Sequence, residues 1–146
     1  MSYNNRALNT YKETSVKTAS QSTLIIMLYD EAIKQVGYAI DLLNSKEIKP
    51  QDIEKVNRHI IKTQDIVTEL MASLDMEAGG EIAGNLLSIY SFFNQQLLQA
   101  NVKKESPPLI NVKSMMEELR AAWQEVAGKT SGSGDRPVST GINIAG

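Results

Sequence analysis

Apolar residues recur at steps of three and four through most of the chain, the spacing that lines one side of an α-helix. Ile25, Leu28, Ala32, Val36, Ala39 and Leu43 do so across residues 20–43. Ser20 or Ser22 offers a hydroxyl to cap the start of that helix, and the polar stretch from Asn44 to Pro50 ends it. A second helix is predicted over 50–74, with Pro50 in its first turn and Ile53, Val56, Ile60, Val67, Leu70 and Leu74 on one side. Gly79-Gly80 then breaks the chain. A third helix is predicted over 81–101, with Ile82, Leu86, Ile89, Phe93, Leu97 and Ala100 aligned. Ser106-Pro107-Pro108 reads as a cap and a helix start, and a fourth helix over 107–127 aligns Leu109, Val112, Met116, Leu119, Trp123 and Val126 before Gly128.

The strict alternation of a half-buried strand is absent. Four amphipathic helices joined by short loops predict an all-α fold, an antiparallel up-and-down four-helix bundle over 20–127. The ends read differently. Residues 1–19 are polar with isolated Leu8, Tyr11 and Val16, which predicts a mobile N-terminal arm. Residues 128–146 are rich in Gly, Ser and Thr, which predicts a disordered C-terminal tail.

The first helix carries more apolar surface than one seam demands. Ile26, Tyr29, Ile33 and Ile40 form a second line, displaced from the first by roughly a quarter turn. Two readings stand. The second line is either the flank of a generous core or a wall of a groove for an apolar segment. Leu87 and Leu98 on the third helix also lie off its core line, as candidates for another wall. Leu8, Tyr11 and Val16 of the arm are candidates to cover such a groove. Trp123, Leu119 and Phe93 read as core. Gln64 interrupts the apolar line of the second helix, where it either bonds a client backbone or is a satisfied core glutamine.

Charge and composition remove several classes of function. The net charge is −2, with 42% hydrophobic and 22% charged residues, ordinary values for a folded domain. Arg6, Lys12 and Lys17 against Glu13 make the arm basic, and Lys129 and Arg136 against Asp135 leave the tail slightly so, so the middle section is acidic. Its longest basic run is Lys103-Lys104, too little for nucleic-acid phosphates. There is no cysteine, hence no disulfide, thiolate ligand or thiol nucleophile. No apolar run approaches the roughly 20 residues that span a bilayer, and no secretory signal opens the chain, so no membrane insertion and a cytoplasmic location are expected. His59 is the single histidine. A helical di-metal site needs Glu-x-x-His pairs, but Val56 stands three residues before it. Gly128-Lys129-Thr130 lacks the earlier glycine and the preceding strand of a phosphate-binding loop. Glu117-Glu118 and Asp30-Glu31 are neighbours about 100° apart on a helix, not facing dyads. Neither a catalytic residue nor a metal or cofactor site is predicted.

Five stretches, in order and spacing, resemble the flagellar export chaperone family known as FliS. They are TYKETSVKTAS (10–20), LIIMLYDEAI (24–33), IIKTQDIVTELMASLD (60–75), IYSFFNQQLLQANVKK (89–104) and ELRAAWQEV (118–126). Gln21, Leu8, Glu31 and Gln95-Gln96 depart from the family pattern, and the tail lies outside it. The resemblance implies a four-helix bundle that binds the disordered C-terminal segment of flagellin in the cytoplasm. That segment would fold into helices as it wraps the bundle. Premature polymerisation is thereby prevented, and the complex docks at the flagellar export gate. The alternatives are a self-associating or adaptor bundle with a different helical-peptide partner, and a metal-dependent helical enzyme, which a lone histidine argues against. A monomer or weak homodimer is expected.

Overall fold

The computed structural model describes residues 21–133, and side chains as far as Gly128. The described chain forms four α-helices: α1 Gln21–Leu43, α2 Pro50–Ala72, α3 Met76–Lys103 and α4 Pro107–Ser133. Neighbours pack in a ring, α1 on α2, α2 on α3, α3 on α4 and α4 on α1, which leaves α1 and α3 on one diagonal. Short connections force adjacent helices to run antiparallel. The α1–α4 seam shows this directly. As positions rise on α1 through Asp30, Gly37 and Asn44, their partners on α4 fall through Arg120 and Lys113 to Ser106, the residue just before that helix.

The inward faces are close to those the periodicity predicts. Ile25, Leu28, Ala32, Val36, Ala39 and Leu43 of α1 are buried, as are Val56, Ile60, Val67 and Leu70 of α2. Phe93, Leu97 and Ala100 of α3 meet Leu109, Val112, Met116 and Trp123 of α4 in the same cluster, with Leu119 partly buried against it. Ile53 and Ile82 are more than a third exposed instead, because each sits in the first turn of its regular helix, beyond the reach of the core.

Several boundaries differ from the sequence reading: α2 ends at Ala72 rather than 74 and α3 at Lys103 rather than 101. Helix α3 starts at Met76, because Asp75 caps an additional turn through Oδ1, which accepts from the backbone N–H of Glu77 and Ala78 at 3.1 and 2.9 Å. The chain then kinks at Gly80, whose φ of 53° and ψ of −126° suit only glycine, and the regular helix resumes at Glu81. Gly128 does not stop α4, which continues to Ser133. A glycine inside a helix costs only about 1 kcal/mol relative to alanine, and Gly128 keeps a negative φ. So the helix continues past the expected boundary at 128, and residues 134–146 of the expected tail lie outside the described residues. Finally, Ser22 lies within the first turn of α1 rather than before it, and Ser20 is outside the described residues.

Polar side chains fix the seams. Asn101 Nδ2 donates to Asn57 Oδ1 at 2.7 Å between α3 and α2, and Lys104 Nζ donates to the Asn101 carbonyl and to its Oδ1. Lys104 closes α3 in the left-handed conformation, φ 55°, a position more often filled by glycine or asparagine. Between α1 and α4, Ser106 Oγ donates to Asn44 Oδ1 at 2.7 Å.

Candidate functional site

The second apolar line of α1 divides. Tyr29 is fully buried and Ile26 is only 6% exposed, so neither walls an open groove. Tyr29 lies about 55–60° from the centre of the inward face, near enough for its ring to enter the core. Its hydroxyl meets that of Tyr90 on α3 at 2.7 Å, across the diagonal of the bundle. The two rings are tilted at 53° with centroids 6.5 Å apart, and Phe93 continues the cluster 6.2 Å from Tyr90. Burial raises both phenol pKa values, that of Tyr90 to about 12, so both hydroxyls stay protonated. Ile26 lies at the end of α1 that α4 accompanies through Trp123 and Ala127, both buried.

Ile33 and Ile40 are partly buried flank residues, packed against the core from the α4 side. Beside Ile40 lies an open groove of about 400 Å³ lined by Gly37, Ile40 and Asp41 of α1 and Ile110, Lys113, Ser114 and Glu117 of α4. Gly37 opens its floor, and a Cβ placed there would rest against Lys113 Cε at 3.6 Å. Ile110 is 47% exposed and forms the opposite apolar wall. The rim is charged: Lys113 Nζ pairs with Glu117 at 3.0 Å, and toward the other end of the seam Arg120 Nε donates to Asp30 at 2.5 Å. The bond to Asp30 raises the already high pKa of Arg120. Such a trough accepts an apolar side chain between its Ile40 and Ile110 walls and polar ones along its edges.

Leu87 and Leu98 do not share that groove. Leu98 lies between Asn94 and Asn101 on the surface of α3, and both asparagines reach α2, through Met71 and Asn57. Its face therefore adjoins α2, away from the α1–α4 seam. Leu98 is 57% exposed, while Leu87 is partly buried. Gln64 is half-buried on α2 rather than a core glutamine. The buried glutamine is Gln35, at 6% exposure. Its Oε1 accepts from His59 Nδ1 at 2.7 Å while its Nε2 donates to Glu31 at 2.8 Å. Tyr38 packs on the His59 ring with centroids 5.1 Å apart. Partial burial, aided by Lys62 and Arg58, lowers the His59 pKa and keeps the ring neutral. His59 thus ties α2 to α1. Among the described residues, no cluster of histidine and carboxylates could hold a metal ion, and no helix is long and apolar enough to cross a membrane. Leu8, Tyr11 and Val16 lie outside the described residues.

Two features escaped the sequence reading. Gly37 and Ile110, neither singled out from the sequence, line the groove with Ile40. The other is charge: from Ile82 to Val102 there is no charged side chain, a signal that was legible in the residues themselves.

A family model described as flagellar protein FliS matches residues 3–130. Among curated relatives, the flagellar secretion chaperone FliS of Bacillus subtilis (strain 168) is 30% identical over 115 residues, 79% of this chain and 81% of that protein. The flagellar secretion chaperone FliS of Salmonella typhimurium is 32% identical over 120 residues, 82% of this chain and 85% of its own length. That of Campylobacter jejuni is 32% identical over 123 residues, 84% and 92% of the two chains. The match runs through all four helices and both seams described above, and the chain belongs to the FliS family of flagellar proteins.

Proposed function

We propose that this protein is a cytoplasmic secretion chaperone that binds the disordered C-terminal segment of flagellin, keeps it from polymerising early and delivers it to the flagellar export apparatus. It works by binding and not by catalysis. Support comes from the names of its relatives and from one observation above all: an open groove between α1 and α4, walled by Ile40 and Ile110 and edged by Asp41, Lys113 and Glu117, on a bundle whose buried core lies beneath it. A client helix would place an aliphatic side chain between Ile40 and Ile110, with Ile33 extending the wall. The arm residues Leu8, Tyr11 and Val16 would cover this surface until the client displaces them.

The energetics demand more than one such contact. Seating one aliphatic side chain contributes about 1.5–3 kcal/mol, whereas ordering a disordered segment costs 2–5 kcal/mol or more. A client that folds on binding must therefore spread over several sites. Titrating the full chain with a flagellin C-terminal segment, followed by circular dichroism and light scattering, tests the reading. The expected result is a 1:1 complex with helix gained beyond the sum of the parts. Self-association of the bundle with no binding of the segment would overturn it and favour the self-associating alternative.

A further inference from the structure

We propose that Met71 is a reversible oxidation site, at which hydrogen peroxide forms the methionine sulfoxide and Asn94 receives the new oxygen. The site lies in the α2–α3 seam and is independent of what the protein binds.

Met71 is the penultimate residue of α2, which ends at Ala72. Its side chain is partly buried, packed against the edge of the core. Helix ends open more readily than helix centres, and an unbranched thioether changes rotamer easily, so the sulfur can meet small solutes. Across the seam, Asn94 Nδ2 approaches Met71 Sδ at 3.9 Å. A thioether is only a weak acceptor. The other end of the same amide has less: Asn94 Oδ1 is the one buried side-chain nitrogen or oxygen without a hydrogen-bond partner among the described residues. The amide has thus lost much of its hydration for a single weak contact.

Oxidation changes the acceptor. The sulfur lone pair attacks one peroxide oxygen and the O–O bond breaks. The new S–OH gives its proton to the departing hydroxide, which leaves as water; sulfur loses two electrons and the peroxide gains them. In a wholly apolar setting the sulfoxide oxygen would be buried without a partner. Here an S–O bond of about 1.5 Å brings that oxygen to about 2.8 Å from Asn94 Nδ2, at an S–O···N angle of roughly 130°, with no movement of either helix. A weak contact becomes a full hydrogen bond between α2 and α3. Only the sulfoxide epimer whose oxygen faces Asn94 is held in this way. Met76 is 48% exposed, so water would solvate its sulfoxide, whereas Met116 is fully buried in the apolar core. Met71 alone of these three couples its oxidation state to a polar group across a helix seam.

The test uses the full chain, dilute hydrogen peroxide and methionine sulfoxide reductases of both epimer classes. Peptide mapping after brief exposure of the folded protein should show Met71 oxidised well before Met116. The side-chain amide signals of Asn94 should move on oxidation of the unmodified chain, stay in place in Met71→Leu, and return after reductase treatment. Oxidation should lower the melting temperature about 3–6 °C more in Asn94→Ala than in the unmodified chain. That excess should vanish when Met71→Leu is added to both. Oxidation of Met71 no faster than of Met116 would overturn the proposal, as would equal drops in melting temperature with and without the Asn94 side chain. Amide signals of Asn94 that ignore Met71 oxidation would overturn it too, whatever the variants do to stability.

Discussion

Helices α2 and α3 lie side by side and bury similar ladders, Val56, Ile60, Val67 and Leu70 on one and Leu86, Tyr90, Phe93 and Leu97 on the other. Their outward faces are opposites. On α2, Glu54, Lys55 and Arg58 face water, whereas α3 exposes only neutral side chains from Ile82 to Val102. Inward periodicity is a statement about folding, and both helices satisfy it equally. Outward chemistry is not needed for the fold, so a difference there points to what each face meets: water on α2, and on α3 a stretch of the client, because the centres of interfaces are depleted in charge.

The largest effects should come from the inward faces and should be alike on the two helices. Phe93→Ala is expected to cost about 3–5 kcal/mol and Ile60→Ala about 2–5 kcal/mol, read from denaturant unfolding. A much smaller cost for one of them would mean that the two helices do not share one core. Next comes the bond that anchors α3 across the diagonal to α1. Tyr29→Phe leaves the Tyr90 hydroxyl buried without that partner, and about 1–3 kcal/mol of stability should be lost. Client affinity should be preserved, since Tyr29 is core and not groove. A selective loss of binding would restore Tyr29 to the client surface.

Smaller still are the outward changes, where the comparison is sharpest. Arg58→Gln on α2 and Gln95→Arg on α3 should each shift stability by no more than about 0.5 kcal/mol. Only the second should weaken client binding, measured by the same titration. Equal effects on binding would erase the distinction between the two faces. The smallest effect concerns pH. Burial lowers the pKa of His59 below that of the unfolded chain, so the unfolded state takes up the proton first. The associated stability is complete above about pH 6.5 and is lost as pH falls through and below that value. His59→Asn should flatten this part of the melting-temperature profile. An unchanged slope would assign it to the carboxylates.

Four helices and most of their inward residues were readable because a 3.6-residue period reports azimuth around one helix. It does not report what lies over that azimuth. Ile26 and Tyr29 lie off the main apolar line on a helical wheel, which leaves core flank and groove wall both open, yet α4 accompanies the first and Tyr90, 61 positions away, meets the second. Leu87 and Leu98 were legible as off the core line, but not as belonging to a different face from Ile40, since the wheel of α3 carries no reference to that of α1. Gly80 marked a break that the structure shows as a kink inside a longer helix, while Gly128 carried the same letter and broke nothing. A glycine permits a turn, and the surrounding contacts decide whether one is made. Gly37 shows the third use of the residue, an absent side chain that leaves room for a groove.

The account's central claim is that a client is held on the α1–α4 groove and on α3, with the charged outer face of α2 left in water. Chemical-shift mapping of the isotope-labelled chain, saturated with an unlabelled flagellin C-terminal segment, tests it most directly. The predicted result is a set of large shifts at Ile40, Ile110 and Lys113 and along α3 from Ser91 to Val102, with Glu54, Lys55 and Arg58 unmoved. Shifts concentrated on those α2 residues, with α3 silent, would contradict it.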